Sequence, residues 1–240
     1  MEKVALIIGA GDAIGSAIAR KFSERGLTVC ATRRNEDKLR PLISEITAAG
    51  GKAHGFACDA RKEDATITLF ANIEENIGEI DVVVFNVGAN VPMGILQTDT
   101  RKFYKIWEMA CFAGFINGRE AARYMVRRNR GTIIFTGATA STRGAAGFAA
   151  FSSAKQGLRA VAQSMSRELG PQNIHVAHVI IDAAVDTQWI RENLPGFQDR
   201  KDRDGIVNPD DLAANYINLY DQPRNAWTFE LDIRPWEENW

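Results

Sequence analysis

The sequence predicts an α/β protein in which a parallel sheet of about seven strands is covered by helices on both faces. Continuous apolar runs at residues 4–8, 82–85 and 174–181 are typical of strands buried on both sides. Segments with apolar residues at helical spacing separate them, and this alternation recurs about seven times. No repeat, low-complexity tract or linker divides the 240 residues, so we expect a single domain over residues 1–240.

Composition sets broad bounds. Hydrophobic residues make up 45% and charged residues 25%, as in ordinary globular chains, and the net charge of −1 gives no reason to expect a nucleic-acid or anionic-membrane partner. The three cysteines, Cys30, Cys58 and Cys111, form no CxxC pair and no metal spacing, which predicts no metal site and suits a reducing cytoplasm. The N-terminal apolar run of residues 4–8 is too short for a signal peptide or a membrane span.

The first strand runs directly into a glycine-rich turn with Gly9, Gly11 and Gly15. A helix with Ile14 and Phe22 on its apolar face follows. Backbone N–H groups at such a helix N-terminus attract anions, and glycine lets a phosphate approach the backbone closely. We therefore expect the turn to hold a dinucleotide pyrophosphate, although an ordinary strand-to-helix turn is the alternative. The predicted contacts are Gly9, Gly11, Asp12, Ala13, Ile14 and Gly15.

The remaining elements of the first half follow in order. A second strand at residues 27–31 is followed by Asn35, which can cap a helix, and Pro41 predicts that this helix starts late or is kinked. Residues 52–58 form a third strand that reaches Asp59, and residues 64–77 form a helix. The fourth strand, residues 82–85, ends at Asn86.

The second half continues the alternation. Helical patterns cover residues 101–128 and 151–169, with strands at 132–135 and 174–181. Residues 188–208 are polar and mixed, which predicts a substrate lid or insertion. A helix at residues 210–219 follows Pro209, and the period of two in residues 227–233 predicts a final strand with one exposed face.

Residues at the end of the second strand bear on the choice of cofactor. Thr32 stands where an acidic residue would bond the ribose 2′-hydroxyl of NAD, and Arg33 and Arg34 follow it. With no carboxylate opposing it, a 2′-phosphate could be bound by a guanidinium through two hydrogen bonds. This favours NADP(H), with NAD possible; the alternative is that both arginines merely face solvent.

Together these motifs resemble the short-chain dehydrogenase/reductase family over nearly the whole chain. The family's T-G-x-x-x-G-x-G motif matches residues 8–15, with Ala13 at the middle glycine, and N-N-A-G matches residues 85–88. The P-G-x-x-x-T motif matches residues 182–187, where only Thr187 is kept. The resemblance implies a Rossmann-type fold and further cofactor contacts from Asp59, Ala60, Asn86, Val87, Gly88 and Thr187.

The family's catalytic positions depart from this pattern. Its Y-x-x-x-K motif matches Phe151 to Lys155, its serine falls on Ala138, and its asparagine falls on Cys111. The resemblance implies that Lys155 binds ribose, while the usual acid and the carbonyl-polarising hydroxyl are replaced. Hydride transfer to a carbonyl needs a proton donor at the developing alkoxide. The candidates for that donor are Asp182, Cys111, Thr136, Thr139, Ser141, Ser152, Ser153 and an ordered water.

Three functions remain open at this level. The first, favoured by the resemblance, is an NADP(H)-dependent oxidoreductase acting on a small carbonyl or alcohol with a non-standard proton donor. The others are a catalytically inactive cofactor-binding homologue, as a sensor or non-catalytic subunit, and lyase- or isomerase-like reuse of the pocket. The resemblance also implies a homotetramer or dimer formed through the two long helices. Side chains that could line a substrate pocket are Asn90, Met93, Thr139, Trp189 and Phe197.

Overall fold

The computed structural model describes residues 2–238 and contains one parallel sheet of seven strands in the order β3-β2-β1-β4-β5-β6-β7. The predicted fold class is thereby confirmed. The strands are β1 (Lys3–Ile8), β2 (Thr28–Arg33), β3 (Ala53–Ala57), β4 (Glu79–Phe85), β5 (Gly131–Thr136), β6 (Ile174–Ile181) and β7 (Glu230–Ile233).

Helices cover both faces of the sheet, as expected for a doubly wound fold. They are α1 (Ile14–Glu24), α2 (Arg40–Ala48), α3 (Glu63–Asn76), α4 (Thr100–Trp107), α5 (Ala113–Arg127), α6 (Ala149–Leu169), α7 (Gln188–Asn193), α8 (Phe197–Lys201) and α9 (Pro209–Tyr220). One apolar core joins α1, α2 and α9 to the sheet, through residues such as Phe22 and Tyr216. A second core joins α3, α5 and α6 to the opposite face, through residues such as Phe70 and Leu158.

The strand order changes direction between β1 and β4, and hydrogen bonds join the carboxyl ends of these two strands. The backbone N–H of Asn86 donates to Ile8 O at 2.8 Å, and its side-chain amide donates to Gly9 O at 3.1 Å. Gly9 N in turn donates to Thr32 O at the end of β2. The ends of three neighbouring strands are therefore held together at the point where ligands bind in open α/β sheets.

The local signals around Asn35 and Pro41 are confirmed. The Asn35 side chain accepts a hydrogen bond from Asp37 N at 3.0 Å and opens a single 3-10 turn, Glu36–Leu39. The α-helix proper starts later, at Arg40, with Pro41 in its first turn, where the missing N–H leaves no helical hydrogen bond unmade.

The helical region predicted over residues 101–128 is not one uniform α-helix. A π-helical turn, Glu108–Phe112, separates α4 from α5 and contains Cys111. Phe103 and Phe115, which helical spacing places on an apolar face, are 37% and 39% exposed. Their apolar face is thus only partly covered within the chain.

One further boundary differs from the sequence pattern. The last strand is shorter than residues 227–233, because its register with β6 begins only at Glu230; a 3-10 turn, Arg224–Ala226, precedes it. The segment 188–208, predicted as a lid or insertion and here called the lid segment, contains α7 and α8. Over the residues that the structure describes, no helix combines the length and hydropathy needed to cross a bilayer.

Candidate active site

The carboxyl ends of the central strands open into one cleft of about 1280 Å³. Sites for small ligands usually measure roughly 300–1,000 Å³, so this cleft has room for a dinucleotide together with a small substrate. It brings together most of the predicted residues from widely separated parts of the chain. Those that line it are Gly9, Gly11, Asp12, Ala13, Ile14, Gly15, Asn86, Val87, Gly88, Asn90, Ala138, Phe151, Lys155, Thr187 and Trp189.

Two glycines of the turn, Gly9 and Gly15, pack closely against neighbouring backbone. Gly9 has a φ of +86°, and a Cβ added there would lie 2.7 Å from Asn86 O. A Cβ added at Gly15 would lie 2.5 Å from Gly9 O. A Cβ at Gly11 would meet nothing within 4 Å, so this residue faces open space. Substitution at Gly9 or Gly15 would therefore disturb the turn, whereas substitution at Gly11 would fill the cleft.

The N-terminus of α1 is available to an anion. Among the residues that the structure describes, no side chain caps this terminus. The first N–H groups of a helix have no acceptor within the helix, and they carry its positive dipole end. The Ser16 N–H already donates to Gly11 O at 2.9 Å, so the N–H groups of Ile14 and Gly15 are the ones offered to an anion beside the open Gly11. The turn therefore fits the pyrophosphate of a dinucleotide.

A smaller pocket of about 210 Å³ continues from the glycine turn toward β2 and β3, and Arg33, Arg34, Asp59 and Ala60 line it. Asp59 is paired with Arg61, whose Nε and Nη2 donate to its carboxylate at 2.9 and 2.6 Å. These hydrogen bonds lower the pKa of Asp59. The pairing fixes the carboxylate at the pocket wall, and Arg61 is a lining residue that sequence reasoning missed.

Asp12 forms an ion pair with Arg33. Arg33 Nη1 lies 2.5 Å from Asp12 Oδ1, and Nη2 lies 3.3 Å from Oδ2. The expectation that no carboxylate opposes a phosphate at Arg33 is therefore wrong. The acidic group comes from the glycine turn, a position that inspection of the end of β2 alone does not reveal.

Lys155 lies at the floor of the cleft and is only 3% exposed. Its Nζ donates to Thr136 O at 2.8 Å and to Val87 O at 3.1 Å. Burial disfavours the charged form and lowers its pKa to about 8. An ammonium has three N–H groups, so two are held by backbone carbonyls and one remains for a ligand.

The wall beside Lys155 is apolar. Phe151 lies one helical turn before Lys155, with Nζ 5.9 Å from its ring centroid, and is 7% exposed. Ala138 lines the same cleft, and its N–H donates to Ser141 Oγ at 3.1 Å. Neither side chain carries a hydrogen-bond donor, so neither can protonate an alkoxide or polarise a carbonyl.

Two proposed proton donors lie outside the cleft lining. Asp182 accepts a hydrogen bond from Thr139 Oγ1 at 2.5 Å and pairs with Arg143 at 3.3 Å. Cys111 packs in a core cluster with Phe151, and burial raises the pKa of its thiol. The contacts of Asp182 and Cys111 within the fold therefore explain their burial without a catalytic role.

The other donor candidates are also occupied or enclosed. Thr136 does line the cleft, but its hydroxyl is hydrogen-bonded to Tyr216 at 2.8 Å. Ser141 accepts from Ala138 N, and Ser153 donates to Ala150 O at 2.9 Å. Ser152 is buried, and within residues 2–238 its hydroxyl has no hydrogen-bond partner.

Only some of the predicted substrate residues line the cleft. Asn90 and Trp189 line the cleft, and Trp189 is 65% exposed. Met93, Thr139 and Phe197 lie outside its lining. The Thr187 hydroxyl oxygen accepts from Ile190 N at 3.2 Å and so caps α7. Its hydroxyl hydrogen can still be donated to a ligand.

A charged cluster at the rim of the cleft was missed from the sequence. The Asp186 carboxylate accepts from Arg191 Nε at 2.5 Å and Lys201 Nζ at 2.8 Å, and all three residues line the cleft. The Arg191 hydrogen bond is the main cause that lowers the pKa of Asp186. This carboxylate attaches both helices of the lid segment to the end of β6. Within the described ranges, no group of three or more His, Cys, Asp or Glu residues is placed to hold a metal ion.

Comparison with known proteins gives consistent matches. A family model described as short chain dehydrogenase matches residues 3–195. A crystal structure of a short-chain dehydrogenase from Rhodopseudomonas palustris is 50% identical, has a TM-score of 0.82, and covers 98% of this chain and 99% of its own. A metagenomic short-chain oxidoreductase in complex with NADP is 28% identical, with a TM-score of 0.83 and 98% coverage of each chain. The short-chain reductase protein NovJ of Streptomyces niveus is 29% identical over 90% of this chain and 86% of its own.

Proposed function

The chain belongs to the short-chain dehydrogenase family, and on that premise we propose that it is an NADP(H)-dependent oxidoreductase interconverting a small carbonyl compound and its alcohol. The observation that carries this proposal is the convergence of the glycine turn, Asn86, Lys155 and Thr187 on one cleft. The glycine turn, Asn86 and Thr187 follow β1, β4 and β6, and Lys155 lies on α6. Their meeting in one place is what a bound dinucleotide requires.

The binding roles follow from the geometry of the protein groups. The pyrophosphate would take the free N–H groups of α1, and the remaining N–H of Lys155 would bond ribose hydroxyls. Thr187 would donate its hydroxyl to the carboxamide. The nicotinamide, when bound, supplies or accepts the hydride; the protein positions it and excludes water from the floor of the cleft.

The proton step is where this chain departs from the family pattern. The spacing to Lys155 puts Phe151 at the family's tyrosine position, and Ala138 stands at the serine position. We assign the proton to Lys155 Nζ, relayed through the ribose hydroxyl that its third N–H bonds: that hydroxyl gives its proton to the alkoxide and takes one from Nζ. Its third N–H remains for a ligand, and with a pKa of about 8 it can both release and regain a proton near neutral pH.

The preference for NADP(H) rests on the adenosine end of the cleft. Arg33 and Arg34 line the pocket that continues from the glycine turn, so two guanidinium groups are within reach of a 2′-phosphate. The NADP complex of the metagenomic relative supports the same choice.

Binding is tested by titrating NADPH and following nicotinamide fluorescence. Gly11→Leu is the blocking variant, because a Cβ at Gly11 meets nothing within 4 Å and the residue lines the cleft, where a larger side chain would take up space. Wild type should bind, and Gly11→Leu should weaken NADPH binding by about 100-fold or more, equivalent to roughly 2.7 kcal/mol. Gly170→Leu is the matched control, since a Cβ at Gly170 also meets nothing within 4 Å and lies outside the cleft. Equal NADPH affinity in all three proteins would refute this site.

Turnover is tested with a panel of carbonyl compounds and alcohols, scored by the absorbance of NADPH. We expect oxidation of NADPH with at least one carbonyl, and loss of that activity in Lys155→Met. Tight NADPH binding without turnover on any member would instead favour a non-catalytic cofactor-binding protein.

A further inference from the structure

The ion pair between Asp12 and Arg33 lies at the adenosine end of the cleft. Two guanidinium nitrogens of Arg33 face the two carboxylate oxygens of Asp12, at 2.5 and 3.3 Å. Arg33 Nη1 also approaches Lys38 O at 3.3 Å. The guanidinium N–H groups that could bind a ligand anion therefore already donate to acceptors of the protein itself.

We propose that Asp12 is a specificity-determining residue that competes with the ribose 2′-phosphate for Arg33. This inference rests on the proposed dinucleotide-binding function. With the ion pair closed, the pocket takes NAD(H); with the pair open, Arg33 is released to bind the 2′-phosphate of NADP(H). Asp12 thus reduces a preference that Arg33 and Arg34 would otherwise make strong.

The exposure of the pair makes such an exchange possible. The Asp12 side chain is 82% exposed and that of Arg33 is 23% exposed. Water and salt weaken an ion pair of this kind, so it can break without disturbing the fold. A phosphate monoester carries nearly two negative charges at neutral pH and is a better partner for a guanidinium than one carboxylate.

The same carboxylate affects the two nucleotides in opposite directions. A 2′-hydroxyl can donate a hydrogen bond to an acidic side chain, which is how NAD is recognised in dinucleotide folds. A 2′-phosphate has no such proton, and it must take the Arg33 guanidinium from the carboxylate. Asp12 comes from the glycine turn rather than the end of β2, so its position relative to Arg33 arises only from the fold.

Asp12→Asn tests the inference because asparagine keeps the shape and removes the charge. Titration of NADPH and NADH, followed by nicotinamide fluorescence, should show NADPH binding about three- to fivefold tighter, the upper range for an exposed ion pair that no longer has to be broken. NADH binding should stay within about twofold or become weaker. Asp221→Asn is the matched control, since it removes the carboxylate of another exposed Asp–Arg pair, with Arg25 at 3.0 Å, outside the cleft. It should change neither affinity.

A second background separates competition for Arg33 from direct repulsion. In Arg33→Met, the further change Asp12→Asn should alter NADPH affinity by less than about twofold, because no guanidinium remains to be released. An undiminished effect there, or equal shifts for NADPH and NADH in the single variant, would overturn the proposal. A wild-type protein that binds neither nucleotide would refute the proposed function itself, and this inference with it. Thermal unfolding of each variant verifies that an altered affinity does not reflect an altered fold.

Discussion

Replacing Lys155 with methionine should stabilise the protein at neutral pH, although it removes a group central to the cleft. The pKa of Lys155 falls from the ordinary 10.5 to about 8 because the charged form is buried. At 1.36 kcal/mol per pH unit, that difference corresponds to a cost of about 3 kcal/mol when the lysine is charged in the fold. Loss of its hydrogen bonds to Thr136 O and Val87 O would offset about 1–2 kcal/mol of this.

The sign of the pH dependence follows from proton counting. Between pH 8 and 10.5 the unfolded state binds the Lys155 proton and the folded state releases it. The contribution of Lys155 to the free energy of unfolding therefore rises with pH across that window, while below about pH 8 the full cost is present. The advantage of Lys155→Met should be about 1–2 kcal/mol near neutrality, should vanish about one pH unit above the folded-state pKa of about 8, and should become a disadvantage as the pH approaches 10.5.

Urea unfolding of both proteins over this pH range measures the difference directly. Lys105→Met is the control, because it removes an exposed lysine of α4 by the same substitution. A Lys155→Met advantage that does not change with pH, or a loss of stability that is largest near neutrality, would refute the assignment of this cost to burial. Lys155→Met should also lose NADPH affinity. That loss would show that the protein gives up folding stability at this position in exchange for cofactor binding.

Two other expectations follow. Phe151→Tyr alone should not create strong ketoreductase activity in the NADPH absorbance assay, because Ala138 still leaves a carbonyl without a polarising hydroxyl; a large gain would contradict this. Light scattering should show a dimer or tetramer, since Phe103, Tyr104 and Phe115 leave apolar surface exposed on the long helical region; Phe115→Glu should shift the protein to a smaller species, and a monomeric wild type would contradict the prediction.

Much of the fold follows from local signals in the sequence. The doubly covered strands appear as continuous apolar runs, and Asn35 and Pro41 correctly mark where a helix begins. The π-helical turn containing Cys111 is different. It adds one residue to a helical turn, and the apolar spacing on either side still reads as a helix, so the pattern does not reveal it. The last strand pairs in register with β6 only from Glu230 onward, so the alternation over residues 227–233 overstates its length.

The candidate site also has parts that could be predicted from the sequence and parts that could not. Residues that follow strand ends, such as Asn86 and Thr187, could be placed in the cleft because parallel strands bring their ends to one edge. Side-chain pairs between different segments could not. The contact of Asp12 with Arg33 and the attachment of Lys201 to Asp186 depend on the relative positions of loops and helices, which periodicity does not encode.

The junction at which Asn86 bonds Ile8 and Gly9 also bears on how long the protein survives in a cell. The cleft is complete only when the first strand has paired with the fourth and the second half of the chain has docked, so a nucleotide binds the finished fold and not its intermediates. At a free concentration of about 100 times its dissociation constant, such a ligand adds roughly 2.7 kcal/mol to the free energy of unfolding. Proteolysis of transiently opened molecules would slow accordingly. The supply of nucleotide would then govern the abundance of this protein as well as its activity.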